Sequence, residues 1–194
     1  MKIMTRSYQL KQRAEDQART RQRIVDATVE LHQARGIAAT SVADVAARAG
    51  VGKATVYRHF PDEAALLGAC SGQYFERHPF PDPEKWRAIA DPRERLRYAL
   101  RETYAYHRET EPMIARVLPE IGDGPIAAPY HAHWRRMVEV LVEAWPAAKR
   151  DTPVLTAALA LALDFGTWRL LVRDQRLAEE AAIGLMLHLF PATC

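Results

Sequence analysis

The chain has 194 residues, 48% hydrophobic and 26% charged, which is ordinary globular usage and excludes wholesale disorder. No apolar run approaches the ~18 residues of a membrane-spanning helix. The N-terminal stretch lacks an apolar core of signal-peptide length, and Cys70 and Cys194 are too few for a disulfide scaffold, so a cytoplasmic protein with reduced thiols is expected. The net charge of +3 hides a division, with +6 on residues 1–60 and −3 on the remainder. That split points to a polyanion-binding head on a body with other work.

Ala, Leu, Arg and Glu dominate and no β-type alternation occurs, so an all-α fold is expected. Residues 1–15 are basic and poor in apolar side chains, and read as a flexible arm. A first helix is expected from Asp16 to Arg35, with Ile24, Ala27, Leu31 and Ala34 on one face and Gly36 at its end. Thr40-Ser41 offers an N-cap for a short helix over Val42 to Ala49, closed by Gly50. A second short helix covers Lys53 to His59, ahead of Pro61. Asp62 can cap the next helix, which runs to about Arg77. Three prolines within His78–Pro83 mark a joint. Asp91-Pro92-Arg93-Glu94 is a helix start, with Asp capping and Pro in the first position. That helix is expected to reach Glu109, and another to begin at Glu111-Pro112 and close before Pro125. Further helices are expected over Ala127–Lys149, Pro153–Arg173 and Leu177–Leu189. The resulting domains are an arm at 1–15, a helix-turn-helix at 16–61, a connecting helix and joint at 62–83, and a body at 84–194.

Helix, tight turn and second short helix form the arrangement whose second helix enters the DNA major groove. Lys53, Thr55, Tyr57, Arg58 and His59 crowd that helix with donors, while Val45, Ala46, Val56 and Phe60 suit its core. In order and spacing, Arg23-Ile24-Val25-Asp26-Ala27, Gly36, Thr40-Ser41-Val42, Val45-Ala46, Ala49-Gly50-Val51, the run Lys53 to Phe60 and Leu66 resemble the N-terminal domain of the tetracycline-repressor (TetR) family. The resemblance covers about a quarter of the chain. It implies a dimeric repressor released from its operator by a small molecule. Two positions depart from the pattern: Gly52 stands where Ser is common, and Asp62-Glu63-Ala64 where a Lys is usual.

Among the expected DNA contacts, Thr40, Tyr57 and His59 address phosphates, with charge added by Arg21 or Arg23. Lys53, Thr55 and Arg58 reach base edges. Ser41 is grouped with them, although helix capping is its first role. Packing against the first helix is an equal alternative for Tyr57, and a local turn contact is the alternative for His59.

In the body, Tyr104, His107, Trp134, Met137 and Phe165 are the candidate lining of a pocket for an apolar or aromatic effector. Leu155, Leu159, Leu163, Gly166, Leu170, Leu185, Met186 and Leu189 are candidates for the homodimer interface that the resemblance implies. Some of them must also serve the internal core. A dimer would place two heads ~34–36 Å apart on a palindromic double-stranded operator. The run Arg93, Arg95, Arg97 and Arg101 reads as a solvated face, and Cys70 as a buried small side chain. His131 and His133, two apart, point to different helix faces, so no metal site is expected, and no cofactor either. No phosphate loop or nucleophile elbow suggests an enzyme. The alternative is a helical interaction protein, or an enzyme, that keeps the head without specific operator binding.

Overall fold

The computed structural model describes residues 6–122, 124–147 and 153–190. Residues 1–5 of the expected arm, Lys149 at an expected helix end and Cys194 lie outside them. The elements in chain order are α1 (Arg6–Arg35), α2 (Val42–Ala49), α3 (Lys53–His59), α4 (Glu63–Arg77), α5 (Pro83–Trp86), α6 (Pro92–Ile121), α7 (Ala128–Val142), α8 (Pro153–Leu163), α9 (Phe165–Arg169) and α10 (Glu179–His188). A π-helical turn, Leu170–Asp174, follows α9. No strand occurs among the described residues. Nor is any single helix among them long and apolar enough to cross a membrane.

The chain divides into two compact units. The first comprises the residues up to Arg77 together with Pro112–Gly122; the second comprises His78–Glu111 and the residues after Gly122. The first unit thus extends past the expected boundary at residue 61 and includes α4. Its inner core joins Ile24, Val25, Ala27, Val45, Ala46, Ala49, Val56, Phe60 and Leu66, with Leu31 packed at the margin. Ala34 is exposed, and the buried stripe of α1 runs instead through Thr28 and His32. A second cluster holds Val29, Cys70, Tyr74, Met113 and Val117. Cys70 is buried there, and burial pushes its thiol pKa up to about 12.

Local signals account for the short helices. Ser41 caps α2 in a reciprocal box with Asp44. Gly50 closes α2 at φ +64, a left-handed conformation that suits glycine. Asp62 Oδ1 accepts from the Ala65 amide at 2.7 Å and starts α4.

The long helices differ from expectation. α1 begins at Arg6, so residues 6–15 are helix rather than arm; Gln, Lys, Arg and Ala extend an existing helix at little cost. α6 continues through Pro112 and Pro119 as one helix. Each proline removes a backbone bond, at about 3 kcal/mol. Buried side chains on both sides of Pro112, including Tyr104, His107, Thr110, Met113, Ile114 and Val117, offset that cost. α7 ends at Val142, short of Lys149. The expected helix from Pro153 to Arg173 breaks at Asp164, whose Oδ1 accepts from the Thr167 amide at 2.9 Å and starts α9. Arg95 is not solvated: it is 7% exposed and donates to the carbonyls of Ile89, Val140 and Arg87.

Candidate functional site

The outer face of α3 follows from the one residue it buries. Val56 points into the core at 1% exposure. Lys53, Ala54, Tyr57 and Arg58 are therefore on the exposed side, at i, i+1, i+4 and i+5. Tyr57 is 50% exposed. Thr55 and His59 are half-buried at the edges of that face. Lys53 and Arg58 make no ion pair among the described residues, so both charges remain available to a polyanion.

Other expected contacts hold the head together. The Arg23 guanidinium donates to the carbonyls of Ala49 and Gly50, the latter at 3.1 Å, and so ties α1 to the turn before α3. Arg21 lies over the Phe60 ring, 4.8 Å from its centroid. The Thr40 hydroxyl donates to the Gly36 carbonyl at 2.7 Å. Ser41 is the α2 cap, and its bonds lower the Asp44 pKa to about 2. Arg35 adds an ion pair to Asp44 at 3.0 Å. His59 is held below its ordinary pKa by burial and by the neighbouring charges of Arg58 and Arg21. It is therefore neutral near pH 7, and its Nε2 is buried with no partner among the described residues.

Four of the expected effector residues, Tyr104, His107, Trp134 and Phe165, meet inside the second unit. α8 ends at Leu163, which leaves carbonyls at its terminus without helical partners. Side chains fill the gap: Tyr104 donates to Ala162 O at 3.2 Å, and Trp134 Nε1 to Leu163 O at 3.2 Å. His107 Nε2 lies 2.9 Å from the same Leu163 oxygen. Rings of Trp134, Phe165 and Trp168 surround His107 at 5.3–5.7 Å between centroids. Met137 is fully buried. Burial lowers the His107 pKa to about 4, so the imidazole is neutral. A separate open groove of about 790 Å³ runs between α7 and α8, lined by Trp134, Val138, Val142, Thr156 and Ala160 among others.

The expected dimer residues divide by burial. Leu155, Leu159, Leu163 and Met186 belong to the internal core. Gly166 is exposed, and Leu170, Leu185 and Leu189 are about half exposed, as are Leu161 and, more strongly, Val154.

The sequence model of bacterial regulatory proteins, tetR family, matches residues 24–70, the segment that builds this helix-turn-helix. The helix-turn-helix head is thus of the tetR-family type. The transcriptional repressor KstR of Mycolicibacterium smegmatis is 41% identical over 64 residues, covering 33% of this chain and 31% of that protein. The regulator TtgR of Pseudomonas putida is 36% identical over 64 residues, covering 33% and 30%. The match thus spans about a third of the length of these curated relatives. Over most of its length the chain also resembles solved structures. AibR, in complex with isovaleryl coenzyme A and operator DNA, is 25% identical, with a TM-score of 0.63 over 90% of this chain and 100% of that one. A TetR-like regulator from Rhodococcus sp. RHA1 shares the fold at 20% identity, with a TM-score of 0.59 over 88% and 92%.

Two residues of this tetR-family head were not legible as functional from sequence. Ala54 shares the exposed face of α3, which counting from the buried Val56 would have shown. Glu120, near the end of α6, accepts from the amides of Ile37 and Ala38 at 2.6 and 2.9 Å. It fixes the corner between α1 and α2, where Gly36 at φ +86 leaves no room for a Cβ. No local motif announces a contact made across 82 residues of chain.

Proposed function

We propose that the chain is a cytoplasmic, ligand-responsive transcriptional regulator rather than an enzyme. In this reading it is a homodimeric repressor that binds a palindromic operator through α3 and is released by a small apolar or aromatic effector. The observation that carries it is the outer face of α3. Two unpaired cations and a phenol stand on a helix whose own turn is locked by Arg23. Lys53 and Arg58 reach base edges, Tyr57 a phosphate, and Arg21 and Thr40 lie at the margin. His59, neutral near pH 7, contributes at most a hydrogen bond. Support for the operator comes from AibR, solved with DNA. Support for an effector comes from the same complex and from the multidrug binding protein EbrR, 25% identical and complexed with imidazole. The dimer reading rests on the exposed Leu161, Leu170, Leu185 and Leu189, which a second copy would cover.

The test is fluorescence anisotropy with DNA from upstream of the protein's own gene, carrying an inverted repeat. Tight binding to that repeat, lost in Lys53→Ala and Tyr57→Ala while the protein stays folded, is expected. Equal affinity for random DNA across a salt series contradicts it.

A further inference from the structure

The aromatic core of the second unit contains polar atoms that its own chain leaves unpaired. Among the described residues, His107 Nδ1, Thr103 Oγ1 and Trp168 Nε1 are buried without a hydrogen-bond partner. All three residues are fully buried. Thr103 and His107 are four apart on α6 and so share a face, and the Trp168 ring lies 5.7 Å from the His107 ring. Orphaned buried polar atoms are uncommon and costly, and three in one neighbourhood require an explanation.

Their chemistry is defined. A carbonyl oxygen only accepts, so the 2.9 Å contact to Leu163 O puts the imidazole proton on Nε2. Nδ1 is then a bare acceptor. Trp168 Nε1 only donates, and the Thr103 hydroxyl does either. A neutral hydroxyl fits this set, since it donates to Nδ1 and accepts from the indole. A carboxylate does not, because it brings only acceptors to the Nδ1 lone pair. The alternative, protonating His107, is opposed by its burial.

We propose that Thr103, His107 and Trp168 form the recognition point for an uncharged hydroxyl group on an aromatic effector. This rests on the effector reading above and specifies its chemistry. The surrounding rings of Phe165 and Trp134 would hold the aromatic body.

The test is calorimetry on the full chain at pH 7.5 with three probes of one skeleton: p-cresol, toluene and 4-methylbenzoate. The expected result is p-cresol at least tenfold tighter than toluene, and 4-methylbenzoate weaker than both. Thr103→Val, close in shape, should cut p-cresol affinity about tenfold without lowering thermal stability, since it removes an unpaired buried hydroxyl. His107→Phe should bring p-cresol to the level of toluene. Equal binding of p-cresol and toluene, tightest binding of 4-methylbenzoate, or no change in either variant overturns the recognition point while leaving an apolar effector core. Failure of all three probes to bind overturns the effector reading as well.

Discussion

The two units solve opposite problems with the same secondary structure. The first fixes its turns with polar groups at helix ends: the Ser41–Asp44 box, Arg23 on the Ala49 and Gly50 carbonyls, and Glu120 on the Ile37 and Ala38 amides. Its unpaired charges, on Lys53 and Arg58, face outward. The head buries His59 Nε2 unpaired, but the second unit gathers three such atoms, on Thr103, His107 and Trp168, among aromatic rings. A surface meant for a polyanion can leave cations in water at no cost. Unsatisfied groups inside a core carry a desolvation cost that surface charges do not. Fixed turns with outward charge suit reading a rigid duplex, and inward polar atoms suit sensing a small molecule.

All four tryptophans, at 86, 134, 145 and 168, lie in the second unit. Tryptophan fluorescence therefore reports that unit, while far-UV circular dichroism reports both. Phe60→Ala removes a side chain 3% exposed and should cost the head about 3–5 kcal/mol. In urea, helicity should then fall before the tryptophan signal moves; coincident loss of both signals would show that the units unfold as one.

A pH series sharpens the contrast from the other side. The folded pKa of His107, about 4, lies below its ordinary value near 6.5. The unfolded chain therefore binds the extra proton first. The contribution to stability is full above pH 6.5 and is lost as pH falls toward 4, with a slope of at most ~1.4 kcal/mol per pH unit. Urea midpoints by tryptophan fluorescence should show this slope in the wild type and lose it in His107→Phe.

Glu120→Ala tests a polar fastening of the head. Two amides lose their partner, and a cost of about 1 kcal/mol is expected, with weaker operator binding because the α1–α2 corner is freed. Glu120→Gln, which keeps an acceptor oxygen, should recover part of both. The smallest effect is Gly52→Ser. Gly52 caps α3 without a side-chain bond and has open space at its Cβ position. A serine there should stabilise the head by a few tenths of a kcal/mol, read as a small rise in melting temperature.

The same contrast explains what was legible beforehand. Helices α2 and α3 read correctly to the residue because their limits are written locally, in Ser41, Gly50 and the turn before Pro61. The body resisted because its limits depend on partners distant in sequence. Pro112 looks like a break, yet buried side chains along α6 carry the helix through it. The break at Asp164 hides in an apolar run, and its freed carbonyls are matched by Tyr104, His107 and Trp134. Arg95 appeared as one of four surface arginines, but three backbone carbonyls hold it inside. Size and aromaticity single out the ring cluster around His107 but not its unpaired atoms. Apolarity alone does not distinguish Leu159 in the core from Leu185 on the surface.

The most direct test of the central claim is the salt dependence of binding to the inverted repeat, for the wild type and Lys53→Ala. A steep fall of log affinity with log salt is predicted, with the slope reduced by about one unit in the variant as one cation–phosphate or cation–base contact is lost. A slope that does not change on replacing Lys53, with affinity intact, would contradict the assignment of α3 as the DNA-reading helix.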